Sequence, residues 1–200
     1  MAKHNIHGLI LAGGLSTRMG VDKALLIIEG KPLLYRLVEQ LTGLVQHVVV
    51  SVGSLQREAL YRESLEELGE KVSFALDRYP ECGPLSGLHA GLSMIAEGYV
   101  FVMACDMPQL SEALFSELLA YVDKGVDVIH TPNQPFHALY HTRIVSQIEE
   151  ALEDRDFRLM GLLRRLQTLE VTPQEQRGAS IFTNLNTPAD YNKYRMEQGF

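Results

Sequence analysis

Short apolar runs and longer stretches of helical periodicity alternate along most of the chain. His7–Leu11, Val48–Val52, Val72–Ala75, Tyr99–Ala104 and Val126–Ile129 are compact and mostly aliphatic. They are too short for helices and lack the alternation of half-exposed strands, so they predict strands covered on both faces. Between them, Pro32–Leu41, Leu55–Leu68, Leu85–Ala96 and Ser111–Val122 place apolar residues at helical spacing. Ser111 with Glu112 behind it supplies an N-cap and an acidic first turn for the last of these. Strands alternating with helices imply right-handed crossovers. The expected fold is therefore one α/β domain, a Rossmann-like, open, mostly parallel twisted sheet with helices on both faces.

After Thr131 the pattern loosens. It offers a turn at TPNQP, a short apolar run Ala138–His141, a helix from about Ile144 and a polar helix around Leu159–Leu166. The chain closes on NLNTPADYNKY, where Thr187 and Pro188 read as the N-cap and first residue of a final helix. Asn184 and Asn186 alternate on the extended stretch before it. No repeat, low-complexity tract or linker divides the chain.

In open α/β sheets ligands collect beyond the carboxyl ends of the strands, where the strand order reverses. Leu11–Lys23, Asp77–Gly87 and Cys105–Pro108 each follow directly on a predicted strand, so these distant loops are expected to meet at one edge. The first, LAGGLSTRMGVDK, packs three glycines, two hydroxyls, an arginine and a lysine into thirteen residues. Gly13 and Gly14 permit a backbone approach that a Cβ would block and expose N–H donors to an anion. Arg18 can fork onto phosphate oxygens, and Lys23 offers a compact charge. The loop is neither a P-loop nor a G-x-G-x-x-G fingerprint.

Asp106, in VFVMACDMPQL, is a lone carboxylate directly after an apolar strand, with Pro108 ending that strand. A carboxylate so placed suits Mg²⁺, which keeps waters and takes one or two carboxylates with substrate phosphates; the alternative role is a helix or turn cap for the following segment. Asp77 can bind a base edge or ribose, or pair with Arg78 or another surface cation. Gly83 and Gly87 flank Pro84 in a stiff turn before a helix. Asn184 and Asn186 can complete a metal or substrate site, and they are equally ordinary turn and cap residues. No H-E-x-x-H zinc pattern is present. His137 and His141 fit structural or pocket-lining roles better than catalytic ones, and Cys82 and Cys105 fit packing.

Composition narrows the partners. The 200 residues are 46% hydrophobic and 22% charged, as in an ordinary globular domain. A net charge of −7 argues against an extended nucleic-acid surface. Two cysteines are too few for a disulfide framework, and the N-terminal apolar run is too short for a signal peptide or membrane span, so a cytoplasmic protein is expected.

LILAGGLSTRMGVDKALLIIEGKPLL resembles the signature of the sugar-nucleotide and cofactor nucleotidyltransferases, and in detail that of the molybdenum cofactor guanylyltransferase family. GPLSGLHAGL, CDMP after a strand, QPFHALYH, a helix near Arg158 and NLNTPADY follow in that family's order, so the resemblance runs from about Gly8 to Tyr194. It implies GMP transfer from GTP to the molybdopterin phosphate of molybdenum cofactor, with Mg²⁺ as cofactor and release of pyrophosphate. It further implies that Leu11, Ala12 and Gly13 hold the nucleotide, that Lys23 meets its phosphates, that Asp77 meets the nucleoside, and that Asp106 meets GTP and metal. Gly14, Ser16, the Gly83–Pro84–Leu85 turn and the paired Asn184 and Asn186 join the same contacts, with Arg18, Lys23 and Asp106 as the catalytic set. About 6–106 becomes the nucleotide part and about 107–200 the cofactor-substrate part, with transient contact to cofactor-biosynthesis proteins or molybdoenzymes.

One departure stands out. The family often has an asparagine after the second strand, where this chain has Ser51 and Gly53. Base selectivity thus rests on the resemblance. Cytidylyl transfer, a sugar-phosphate acceptor, a noncatalytic nucleotide-binding regulator and a cofactor carrier remain as alternatives.

Overall fold

The computed structural model describes residues 6–14, 19–173 and 181–199. Strands β1 (His7–Leu11), β2 (Ile27–Ile28), β3 (Lys31–Pro32), β4 (Val48–Val52), β5 (Val72–Leu76), β6 (Tyr99–Ala104), β7 (Val128–Thr131), β8 (Gln134–His141) and β9 (Thr168–Glu170) occur with helices α1 (Leu33–Thr42), α2 (Leu55–Ser64), α3 (Pro84–Ser93), α4 (Glu112–Leu119), α5 (Val145–Glu153), α6 (Leu159–Leu163) and α7 (Pro188–Gln198). Among the described residues, seven strands form one sheet in the order β5-β4-β1-β6-β8-β7-β9. The pairings β1–β4, β1–β6, β4–β5 and β7–β9 are parallel, and β8 runs antiparallel to both β6 and β7.

Successive strand residues point to opposite faces, and each face has its own core. Ile10, Val48, Val50, Phe101, Met103, Ile129 and Leu139 pack under α1 and α4, while Leu9, Val49, Val100, Val102, Val128 and Tyr140 pack under α3 and α5. The continuous apolar runs in the sequence are these two alternations interleaved. On α1, Leu33, Leu34, Leu37, Val38 and Leu41 are buried, which is the helical stripe expected for one covered face. Helix α3 touches the sheet closely at Gly87 and Gly91, between the buried leucines Leu85, Leu88 and Leu92. A Cβ at Gly91 would come within 2.2 Å of Leu9 Cδ1, and one at Gly87 within 2.5 Å of Ser51 Oγ. No described helix is long and apolar enough to cross a membrane.

Several local expectations change: β9 was not anticipated, and the helices expected to reach Ala96 and Val122 end at Ser93 and Leu119. The second helix was expected to reach Leu68, but α2 ends at Ser64, whose hydroxyl donates to the Tyr61 carbonyl and competes with the helix ladder. A 3₁₀ turn, Glu66–Lys71, follows. The strand expected from Val126 begins at Val128, because Gly125 ends the preceding turn at φ +65° and the Val126 carbonyl accepts from the Tyr99 hydroxyl. The strand expected over Ala138–His141 begins at Gln134, since Asn133 at φ +59° makes TPNQP a tight hairpin turn with Thr131 opposite Gln134. The β2–β3 hairpin was not anticipated. Its signal lies in Glu29 and Gly30, both at positive φ, as a two-residue type I′ connection requires.

The closeness of α3 to the sheet makes Gly91→Ala a test of packing. Overpacking typically costs about 1–3 kcal/mol, and the gain in helix propensity returns up to about 1 kcal/mol. A net loss of about 1 kcal/mol is expected, read as a lower urea midpoint at unchanged slope. An unchanged or raised midpoint would mean that Leu9 moves aside freely.

Candidate active site

Because β5, β4, β1 and β6 are neighbours in the sheet, the loops leaving their carboxyl ends lie side by side. Strand order reverses at β1, from which the chain goes first to β4 and β5 and then back across to β6. At that reversal a cleft of about 590 Å³ opens, lined by residues of the four loops including Ala12, Gly13, Gly53, Asp77 and Asp106. This is the size and place of a small-molecule site in an open α/β sheet.

The loops meet backbone to backbone. The Ala12 N–H donates to the Ser51 carbonyl at 3.1 Å and the Asp77 N–H to the Val52 carbonyl at 2.9 Å. A Cβ at Gly13 would sit 2.7 Å from Asp77 Oδ2, and one at Gly53 would sit 3.0 Å from the Gly13 carbonyl oxygen. Asp77 Oδ1 and Ser51 Oγ are buried without a hydrogen-bond partner among the described residues. Burial alone raises the Asp77 carboxyl to about 6. Beside them α3 follows Gly83, its N-cap position at φ +66°, with no side-chain cap and with Pro84 in its first turn. An uncapped N-terminus aimed at a cleft favours anions and hydrogen-bond acceptors.

At the other side of the cleft stands Lys23. Asp22 Oδ1 accepts from the Ala24 N–H at 3.0 Å and so starts the short 3₁₀ turn Lys23–Leu25. Lys23 Nζ lies 3.2 Å from Asp106 Oδ2 and donates to Asn186 Oδ1 at 2.7 Å. Asn186 reaches it from far along the chain for two local reasons. The Leu185 N–H donates to the Asp106 carbonyl at 2.8 Å, with the Leu185 side chain fully buried in the core. Thr187 and Asp190 then form a capping box on α7, and Asp190 Oδ2 accepts from the Asn186 and Thr187 N–H groups at 3.1 and 2.8 Å.

The cleft gathers Leu11, Ala12, Gly13, Gly14, Lys23, Asp77, Gly83, Pro84 and Asp106 from the residues expected by sequence. Leu85 is not among them. It is fully buried in the core between α3 and the sheet, because the helix that Pro84 opens turns its second residue inward. Asn184 is exposed and its amide donates to the Phe182 carbonyl at 3.3 Å, whereas Asn186 faces Lys23. Ser16 and Arg18 lie outside the described residues. His137 is fully buried, its Nε2 2.8 Å from the Gln109 carbonyl, and burial lowers its pKa to about 4. Among the described residues no group of three or more His, Cys, Asp or Glu is gathered to hold a metal.

Asp22, Ser54, Arg57, Pro80, Glu81 and Phe136 line the cleft without having been singled out as site residues. Asp22 carried a signal, since it stands immediately before Lys23. Arg57 carried none, because a helical arginine of this composition reads as solvated.

An open α/β sheet with a glycine turn, a lysine and a carboxylate at its reversal point defines a nucleotide-binding domain of the transferase type. The model of the MobA-like NTP transferase domain matches residues 8–171, and the chain belongs to that family of nucleotidyltransferases. A Natronomonas pharaonis protein described as a probable molybdenum cofactor guanylyltransferase is 34% identical, over 94% of this chain and 96% of its own. The molybdenum cofactor guanylyltransferase of Yersinia pestis is 31% identical, over 97% of each chain. In fold, the molybdopterin-guanine dinucleotide biosynthesis protein A of Archaeoglobus fulgidus superposes with a TM-score of 0.80 at 22% identity, over 97% of this chain and 99% of that one. A nucleotidyl transferase of Methanothermobacter thermautotrophicus gives 0.68 at 17% identity, over 96% and 97%.

The Asp77 environment has a stability consequence. A carboxyl whose folded pKa lies near 6, above its ordinary 3.8, binds its proton more tightly in the folded state, so stability falls as pH rises from about 4 through 6. Asp77→Asn removes that loss. The variant is expected to be more stable than the parent at pH 7.5, by on the order of 1 kcal/mol after allowance for solvent screening, and equal to it near pH 4. Thermal melts at the two pH values check this, and a variant less stable at pH 7.5 would show that the carboxylate is satisfied where it stands.

Proposed function

We propose that this protein transfers GMP from GTP to the terminal phosphate of molybdopterin in molybdenum cofactor, forming the guanine dinucleotide and pyrophosphate in the cytoplasm. The observation that carries the reading is the Lys23 ammonium held between Asp106 and Asn186 at the edge of a cleft whose floor is a glycine turn. A pterin phosphate oxygen attacks the α-phosphorus of GTP. As the new P–O bond forms, the bond from the α-phosphorus to the bridging oxygen breaks, and pyrophosphate departs with the electron pair. The nucleophile is already anionic at neutral pH, so little proton chemistry is needed and the work is positioning and charge stabilisation. The nucleotide belongs to the 6–106 part and the pterin to the 107–200 part, with Asn186 reaching across to the nucleotide.

Leu11, Ala12, Gly13 and Gly14 would hold the nucleotide through the backbone, Asp77 with Gly83 and Pro84 would meet the nucleoside, and Lys23 would meet the phosphates. The unpartnered Asp77 and Ser51 oxygens at one end of the cleft supply hydrogen-bonding capacity for a nucleoside. The Asp106 carboxylate and Asn186 amide oxygen are a donor set suited to magnesium, a hard ion that takes one or two carboxylates and shares the substrate phosphates. Magnesium held there would neutralise charge on the triphosphate.

The test is incubation with molybdopterin-type cofactor and each of the four triphosphates, following pyrophosphate. GTP is expected to give the fastest release. Faster release with CTP would move the assignment to cytidylyl transfer, and none with any triphosphate would remove the activity. Lys23→Ala is expected to lower kcat about 10²–10³-fold with a smaller change in GTP affinity. Asp106→Asn is expected to shift the Mg²⁺ titration to higher concentration with the circular dichroism unchanged, and superimposable titrations would take Asp106 out of the site.

A further inference from the structure

Arg57 is the third residue of α2, where its N–H donates to the capping Ser54 hydroxyl at 3.3 Å and so is fixed at the backbone. Its guanidinium does not run out into solvent. Nη1 donates to the Gly13 carbonyl at 3.1 Å and to the Gly14 carbonyl at 2.6 Å, more than forty residues earlier in the chain, and Nε lies 3.4 Å from Asp22 Oδ2. One turn later on the same helix, the fully buried Tyr61 donates its hydroxyl to that same Asp22 oxygen at 2.8 Å. The i, i+4 spacing brings both donors onto one carboxylate. The other oxygen of Asp22 starts the turn that carries Lys23.

Resting on the nucleotidyl-transfer reading above, we propose that Arg57 is the positioning residue of the glycine-rich turn, holding Gly13 and Gly14 and the Asp22 carboxylate before Lys23 in one arrangement for the triphosphate. The physical need is clear. Glycine has the greatest backbone freedom of any residue, so consecutive glycines left to themselves would sample many turns. With successive carbonyls on one guanidinium nitrogen, both peptides present their oxygens to the same side. In a trans peptide the N–H opposes the C=O, so the Gly14 N–H is directed away from Arg57. The planar guanidinium can span two carbonyls and a carboxylate together, which the single ammonium of lysine does not match. Helix α2 thereby fixes the glycine donors and the start of the Lys23 turn through one side chain.

The test compares Arg57→Ala and Arg57→Lys with the parent, first without ligand. Backbone ¹⁵N order parameters of Gly13 and Gly14 are expected near 0.85 in the parent and below about 0.6 in both variants, while the core strands stay rigid. At a temperature well below every melting point, the GTP dissociation constant should rise about tenfold and kcat for pyrophosphate release should fall about a hundredfold, with lysine no better than alanine. Unchanged order parameters would overturn the proposal. Full rescue by lysine would also overturn it, since charge alone would then suffice. If the parent bound no triphosphate while its glycines were rigid and the variants' glycines were not, the positioning role would stand and the nucleotidyl-transfer reading would fall.

Discussion

The arrangement of the cleft depends on one ammonium group shared by oxygens from distant parts of the chain. Lys23 lies 83 residues from Asp106 and 163 from Asn186, yet both oxygens are within 3.2 Å of its nitrogen. Nothing local produces that meeting. It requires β1 and β6 to be neighbours, the Leu185 amide to find the Asp106 carbonyl, and the capping box of α7 to stop the chain where Asn186 faces inward. The Lys23 and Asp106 side chains keep only 17% and 26% of their accessible surface, so the pair is better shielded than an ordinary surface ion pair.

The seven-stranded sheet turns this long-range requirement into a set of short-range ones. The parallel strands β5, β4, β1 and β6 are mostly apolar runs read by two cores at once, and each releases its following loop at the same edge. Glycine appears where loops or layers must touch. Gly13 accommodates Asp77, Gly53 accommodates Gly13, and Gly87 and Gly91 let α3 lie against β4 and β1. At the glycine turn the cleft therefore presents backbone where side chains would otherwise stand. That suits a ligand approached by main-chain donors.

Most of this was legible in the residues. The parallel half of the sheet, the caps at Ser111 and Thr187, and the convergence of three loops followed from periodicity and turn chemistry alone. What escaped did so for physical reasons. The antiparallel course of β8 depends on a left-handed Asn133, and the β2–β3 hairpin on Glu29 at positive φ, conformations that neither residue's identity demands. Leu85 shows the limit of reading by adjacency. It follows Pro84, which lines the cleft, and the helix that Pro84 opens turns it into the core. Arg57 shows the converse. Its hydrogen bonds go to the carbonyl oxygens of Gly13 and Gly14, which leave no mark in a sequence, and its carboxylate partner Asp22 lies in a distant segment.

Chain order gives the shared ammonium a temporal consequence. Synthesis runs from the N-terminus, so earlier segments are available to pair before later ones. Once residue 106 has emerged, β1, β4, β5 and β6 are all available to pair, and Lys23 can already find Asp106. Asn186 is made 80 residues after Asp106, so the lysine contact stays incomplete until that segment has emerged. Completion of this contact awaits the segment that leads into α7, so the last partner of the ammonium is the one made farthest from it in the chain.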